Sequence, residues 1–260
     1  MNRINTTPFG APPLSLLGLE PFRAAIEYTR LCMMDWRRAP TGDGHPVIIF
    51  PGLGTNGTWS TPLKSYCREL GYTAKDWGRG LNRGPEGDIS TWLDGLATDV
   101  EKLIGNSKQR TTLIGWSLGG IYAREMAKRL PRRVRQVITI GAPFAGDCEQ
   151  TNAGWLYRLL NGRRLKIDPK LADTLRRAPS VPMTSIYSRT DGVVAWQACL
   201  ENAGERVENI EVNSSHIGLV WNPTVLTVIA DRLSQRDGAW RPFAKPARPQ
   251  PCPMGLEQCS

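Results

Sequence analysis

The sequence predicts an α/β fold with a mostly parallel central sheet flanked by helices. Three observations carry that expectation. Short, nearly continuous apolar runs at 47–50 and Val134–Ile140 read as strands buried on both faces, as parallel sheets require. Between such runs lie segments with apolar residues at three- and four-residue steps, and strands alternating with helices imply crossover connections. At 260 residues the chain can bury one substantial core, so a single domain over 1–260 is expected.

Each element has its own local reason. Residues 1–44 read as an N-terminal arm, Pro- and Gly-rich to residue 20, and then an amphipathic helix over 22–36 with Pro21 at its start. Such a helix packs on its own domain or offers a membrane-surface or dimer face. The run 47–50 is stopped by Pro51-Gly52-Leu53-Gly54, a second strand falls near 72–77, and a helix follows over Ile89–Ile104. The strand 112–114 feeds Gly115-Trp116-Ser117-Leu118-Gly119-Gly120, after which 121–130 reads as helix and Val134–Ile140 as strand. Past Gly141-Ala142-Pro143 the alternation breaks, and 147–179 reads as a helical cap or lid insertion, helical around 155–160 and 170–177. Strands at 183–187 and Val207–Val212 and a helix near 223–233 resume the pattern, and a Pro- and Arg-rich tail over 240–260 is expected to be irregular.

Composition narrows the function classes. The net charge is +9, but the basic groups at 128–135 and 158–177 accompany no nucleic-acid motif, so nucleic acid is not an expected partner. They read as solvated faces, with attraction to anionic substrates or a lipid interface as the sharper alternative. The six cysteines show no metal-ligand spacing, so no metal or other cofactor is expected. Reduced thiols are the expectation, with a Cys252–Cys259 bridge as the alternative. No run approaches the roughly 20 apolar residues of a spanning helix, and the first residues make a poor signal peptide, so the expected location is cytoplasmic.

The chemistry concentrates at Ser117. Glycines on both sides of a serine, directly after a buried strand, permit a sharp turn that lifts Oγ above the sheet. A serine hydroxyl is a weak nucleophile that needs a histidine base oriented by a carboxylate. There are two histidines. His45 precedes the first buried strand, at the edge opposite to the strand ends where chemistry belongs, and reads as structural. His216 follows the strand ending at Val212 within a loop of small residues. Asp191 follows the strand 183–187 in Thr190-Asp191-Gly192, a sequence that is also a common turn. Ser117, Asp191 and His216 thus each stand just beyond the carboxyl end of an expected parallel strand, where open α/β sheets place their ligands.

These motifs, with Phe50-Pro51-Gly52-Leu53-Gly54 and Ser215-His216, resemble the α/β-hydrolase superfamily and its bacterial lipase- and esterase-like members from about residue 45 to 233. The resemblance implies Ser117 as nucleophile, His216 as general base and then acid, and Asp191 as the group that fixes the imidazole. It also implies an oxyanion hole from the backbone N–H of Leu118 and a second donor, for which Leu53 is the candidate. Pro51 departs from the pattern, because many lipases carry histidine there. Trp116, Trp155, Leu156 and Leu159 are the candidate substrate contacts, the last three from the lid. The implied function is cleavage of a small-molecule or lipid ester. The alternatives are a thioesterase or acyltransferase on the same triad, or a hydrolase-fold protein that binds a ligand without turnover.

Overall fold

Six strands run parallel in one sheet: β1 (Pro46–Phe50), β2 (Thr73–Asp76), β3 (Thr111–Trp116), β4 (Val134–Ile140), β5 (Met183–Ser188) and β6 (Val207–Val212), in the order β2-β1-β3-β4-β5-β6. The computed structural model describes residues 10–36, 39–145 and 169–244. The helices in that range are α1 (Leu14–Cys32), α2 (Thr61–Glu69), α3 (Ile89–Ile104), α4 (Leu118–Arg129), α5 (Pro169–Arg176) and α6 (Pro223–Ser234).

Strand alternation divides the apolar residues between two cores. Val47 and Ile49 of β1 and Ile114 of β3 point to one face, where they pack with Leu63 and Tyr66 of α2 and Leu226 and Ile229 of α6. Ile48, Phe50 and Leu113 point to the other face and meet Leu93, Leu96 and Val100 of α3 and Tyr122 and Met126 of α4. Period-2 side-chain direction in a doubly covered sheet requires this split. Each fully buried aliphatic side chain contributes about 1.5–3 kcal/mol.

Strand order reverses between β1 and β3, so the connections leaving their carboxyl ends run to opposite sides and define a crevice, the position at which open α/β sheets bind ligands. Close backbone contact seals the floor beneath it. A Cβ on Gly119 would stand 2.3 Å from the Phe50 carbonyl oxygen, and one on Gly115 2.3 Å from the Gly119 oxygen. The glycines flanking Ser117 therefore let α4 settle onto β1 and β3 with no side chain between.

The structure corrects several boundaries. The N-terminal helix begins at Leu14, not near residue 22, and Pro21 lies inside it. Its inward residues are Glu20, Ala24, Glu27 and Leu31, whereas Phe22, Ile26 and Met33 are exposed. Apolar periodicity misidentified that face, because α1 docks on loop backbone, which offers N–H groups that need acceptors. Helix α2 was not foreseen: only Leu63, Tyr66 and Cys67 mark its buried side in an otherwise polar segment. Helix α4 starts at Leu118, directly after Ser117, three residues before the expected 121. The expected basic face at 128–135 is partly internal, because Arg129 pairs with Asp94 and Glu125, Lys128 pairs with Glu125, and Arg135 is buried against Asp43. Of the expected insertion, 147–168 and the candidate contacts Trp155, Leu156 and Leu159 lie outside the described residues. The carboxyl end of α5 is anchored on α4, where Arg124 Nη2 donates to the carbonyls of Leu175, Arg176 and Arg177.

Two glycine substitutions should move stability in opposite directions in urea unfolding. Gly115→Ala should destabilise by about 2 kcal/mol or more, because rigid backbone opposes the added methyl. Gly18→Ala, on an exposed turn of α1 with nothing within 4 Å of the new Cβ, should stabilise by up to about 1 kcal/mol.

Candidate active site

Ser117 joins β3 to α4 with φ 54° and ψ −125°. Among the described residues it is the only one other than glycine at positive φ, a conformation that costs about 1–3 kcal/mol. The surroundings hold it there. Ser117 N donates to the Ile140 carbonyl at 2.9 Å and Gly120 N to the Ser117 carbonyl at 2.9 Å, while the glycine contacts below prevent the turn from relaxing. The residue is 8% exposed. A strained turn at the crevice, with the side chain at its apex, is the arrangement a presented hydroxyl needs.

Asp191 follows β5 with both carboxylate oxygens engaged. Oδ1 accepts from Val193 N at 2.8 Å and Val194 N at 2.7 Å, which fixes the side chain and leaves Oδ2 for His216 Nδ1 at 2.6 Å. The same Asp-Gly segment is thus both a turn and a support for the histidine. With Nδ1–H committed to Asp191, neutral His216 presents Nε2 as its lone-pair nitrogen. Both side chains are buried.

Burial works against the charged imidazolium and pushes the His216 pKa down. The Asp191 charge and hydrogen bond, with the Glu20 charge, outweigh it, and the net shift is upward from 6.5. His216 therefore keeps its proton to a higher pH than an ordinary histidine, and its lone-pair form fills only above that raised value.

Neighbouring residues bring Ser117 and the Asp191–His216 pair to one place. Trp116, next to Ser117, donates from Nε1 to the His216 carbonyl at 3.1 Å, and its ring lies 5.7 Å from the imidazole. Gly141, at the end of β4, sits under the pair: a Cβ there would be 3.3 Å from His216 Nδ1 and 3.4 Å from Asp191 Oδ2. No hydrogen bond among the described residues joins Ser117 Oγ to His216, and such bonds commonly tighten only when substrate is present. Trp116, a candidate substrate contact, is 5% exposed and packs against the histidine loop.

The two candidate oxyanion donors flank the turn. Leu118 is the first residue of α4, so its N–H has no partner within the helix. Leu53 follows Gly52, whose added Cβ would lie 3.3 Å from Ser117 Cβ, so the loop after β1 passes beside the serine. His45 is elsewhere, before β1, fully buried, with Nδ1 against Asp43 at 2.5 Å and Nε2 against Thr112 Oγ1 at 2.8 Å. Among the described residues no cluster of His, Cys, Asp and Glu is arranged to hold a metal ion, and no helix is long and apolar enough to cross a membrane.

Sequence reasoning missed Glu20 and Glu27, which carry the loop of His216 from below. Their one sequence signal is a pair of carboxylates seven residues apart in an otherwise amphipathic helix.

A sequence model of the Alpha/beta hydrolase family matches residues 44–253. The chain is 34% identical over 102 residues to a pimeloyl-[acyl-carrier protein] methyl ester esterase of Shewanella sp., a match covering 39% of this chain and 36% of that protein. It is 25% identical over 173 residues to the protein of that name from Photobacterium profundum, covering 66% of each. The chain thus spans little more than a third of the Shewanella relative it matches. In three dimensions it resembles Aspergillus fumigatus lipase B, with TM-score 0.58, 20% identity and coverage of 76% of this chain and 54% of that one. It also resembles the naproxen esterase of Bacillus subtilis, with TM-score 0.53, 14% identity and coverage of 81% and 96%. At those identities the two structures speak for the fold.

The histidines can be followed individually by NMR, because there are only two. His216 should titrate above 6.5 and His45, whose burial outweighs its carboxylate partner, below it. Asp191→Asn should move the His216 midpoint down and leave that of His45 in place; a His216 midpoint unaffected by the substitution would contradict the pairing.

Proposed function

Since the chain belongs to the alpha/beta hydrolase family, we propose that it is a carboxylic ester hydrolase working through an acyl-enzyme on Ser117. The observation that carries this reading is the buried Asp191–His216 hydrogen bond beside the strained Ser117 turn. The methyl ester chemistry in the names of its relatives is consistent with it.

His216 Nε2 takes the Ser117 Oγ proton as Oγ bonds to the ester carbonyl carbon. The carbonyl oxygen becomes an oxyanion, received by the N–H groups of Leu118 and Leu53. Collapse of the tetrahedral intermediate breaks the bond to the alcohol oxygen, to which His216 returns the proton, and the acyl group stays on Ser117. Water then repeats the sequence, with His216 as base toward water and as acid toward departing Oγ. Asp191 holds the imidazole orientation throughout and stabilises the imidazolium formed twice per turnover. Each oxyanion donor of this kind contributes about 3–4 kcal/mol to the transition state.

The reading explains the siting of the residues. Nucleophile, acid and base follow the ends of three strands, β3, β5 and β6, and Ser117 stands beside the β1–β3 switch point, where an acyl group would reach it and both amides together. Ligand binding alone has no use for a strained serine backed by a buried charge pair.

p-Nitrophenyl esters from acetate to long-chain acyl groups test the proposal. Wild-type protein should turn them over, and Ser117→Ala should lower kcat by at least about 10⁴-fold. A fluorophosphonate should label wild-type protein and not the variant. The acidic limb of kcat/KM should lie above 6.5, where His216 loses its proton. Equal turnover by wild type and Ser117→Ala would remove the proposal.

A further inference from the structure

The loops that carry Asp191 and His216 rest on a helix from the opposite end of the chain. Glu20 of α1 is 2% exposed. Its Oε1 accepts from Gly192 N at 2.8 Å and His216 N at 2.9 Å, and its Oε2 from Ile217 N at 3.0 Å. One carboxylate therefore joins the residue after the acid to the base and the residue after it. One turn-pair further along, Glu27 accepts from Ser215 N at 2.8 Å through Oε1, and from Ser214 Oγ at 3.0 Å and Ser215 Oγ at 2.9 Å through Oε2. Between the two, Arg23 donates to the Thr190 carbonyl and, at 2.7 Å, to Thr190 Oγ1.

The glycines of these loops fit the same contact. A Cβ on Gly192 would stand 2.5 Å from the Leu16 carbonyl carbon and 2.6 Å from Leu17 N, and one on Gly218 would stand 1.5 Å from Glu27 Oε2. Neither glycine is at positive φ, so turn geometry does not require them. They are the space into which α1 fits.

We propose that α1 is a positioning clamp for the catalytic centre, in which Glu20 ties the Asp191 and His216 loops to each other and adds negative charge beside the imidazole. This rests on the roles of Asp191 and His216 proposed above. Without the clamp, Asp191 and His216 sit on separate loops after β5 and β6, joined by the hydrogen bond between their own side chains and by bonds of Ser188 and Thr190 to Asn213 and Ser214, these last all upstream of His216 itself. With it, a second carboxylate fixes both backbones. Buried backbone amides are costly to leave unpaired, so α1 also supplies acceptors that the sheet does not.

Among the described residues the charged groups around His216 can be named, which makes a titration interpretable. Asp191 faces it from the loop after β5 and Glu20 from α1. Glu27 and Arg23, also on α1, bear on Ser214, Ser215 and Thr190, and β3 contributes the uncharged Trp116.

The test is Glu20→Gln, nearly isosteric, with Phe22→Ser on the exposed side of α1 as control. The amide accepts at one end only, so either Ile217 N or both Gly192 N and His216 N lose their acceptor, and the charge is gone. Expected are a His216 NMR midpoint lower than wild type, an unchanged His45 midpoint, and kcat reduced by about ten- to a hundredfold with KM within about twofold, the scale of a small misplacement of a reacting group. Phe22→Ser should match wild type in each. A folded Glu20→Gln protein with wild-type His216 midpoint and kcat would overturn the clamp. Should that variant not fold, hydrogen exchange in wild type decides: the amides of Gly192, His216 and Ile217 should exchange as slowly as those of α1, and exchange at the rate of open loops would overturn it. The NMR and exchange readouts do not depend on turnover. A protein inert to esters and fluorophosphonate would defeat the proposed function while still reporting whether Glu20 holds the histidine loop.

Discussion

The turn at Ser117 is the constraint around which the molecule is arranged. A non-glycine residue at positive φ between a strand and a helix persists only where the surrounding packing leaves it no alternative. That packing is backbone on backbone: Gly119 lies against the carbonyl of Phe50 and Gly115 against that of Gly119. The sites where α4 must approach this closely are at the carboxyl ends of β1 and β3, where the strand order reverses. The strain, the glycines and the crevice are therefore one feature, and the two sheet cores supply the burial that sustains its cost.

Charge is handled with equal economy. A buried imidazole on its own would be pushed toward neutrality by desolvation, but two carboxylates, Asp191 and Glu20, reverse the shift. Asp191 can serve only because its other oxygen is occupied by the amides of Val193 and Val194, so that a single oxygen and a single direction remain for Nδ1. Glu20 meets the histidine loop through backbone amides. Its contribution to the imidazole is one of field and of geometry, whereas that of Asp191 is a direct bond. Burying Asp191, Glu20 and Glu27 in one region is tolerable because each accepts from several donors.

Much of this was legible in the chain. Apolar runs marked β1 and β4, and the Asp88 cap and Gly105 stop bounded α3 as its periodicity suggested. The order Ser117, Asp191, His216 at strand ends pointed to the candidate site, in which the structure pairs Asp191 with His216. What sequence pattern concealed was polar or short. Helix α2 carries too few apolar residues to show a period, and α1 reads falsely because its buried stripe contains two glutamates while Phe22 and Met33 face outward. A periodicity argument assumes that the buried face meets side chains, and α1 meets main chain.

The sequence by itself determined the alternation of strands and helices, the glycine-flanked serine and the residues able to act with it, because those depend on local sterics and on which side chains avoid water. Only the tertiary structure decided how the Asp191 and His216 loops are held. Glu20 and His216 are 196 residues apart, and neither Gly192 nor Gly218 advertises, in its own neighbourhood, the helix for which it makes room. Hydrogen bonds of that range follow no period, since they depend on where the completed sheet delivers its loops.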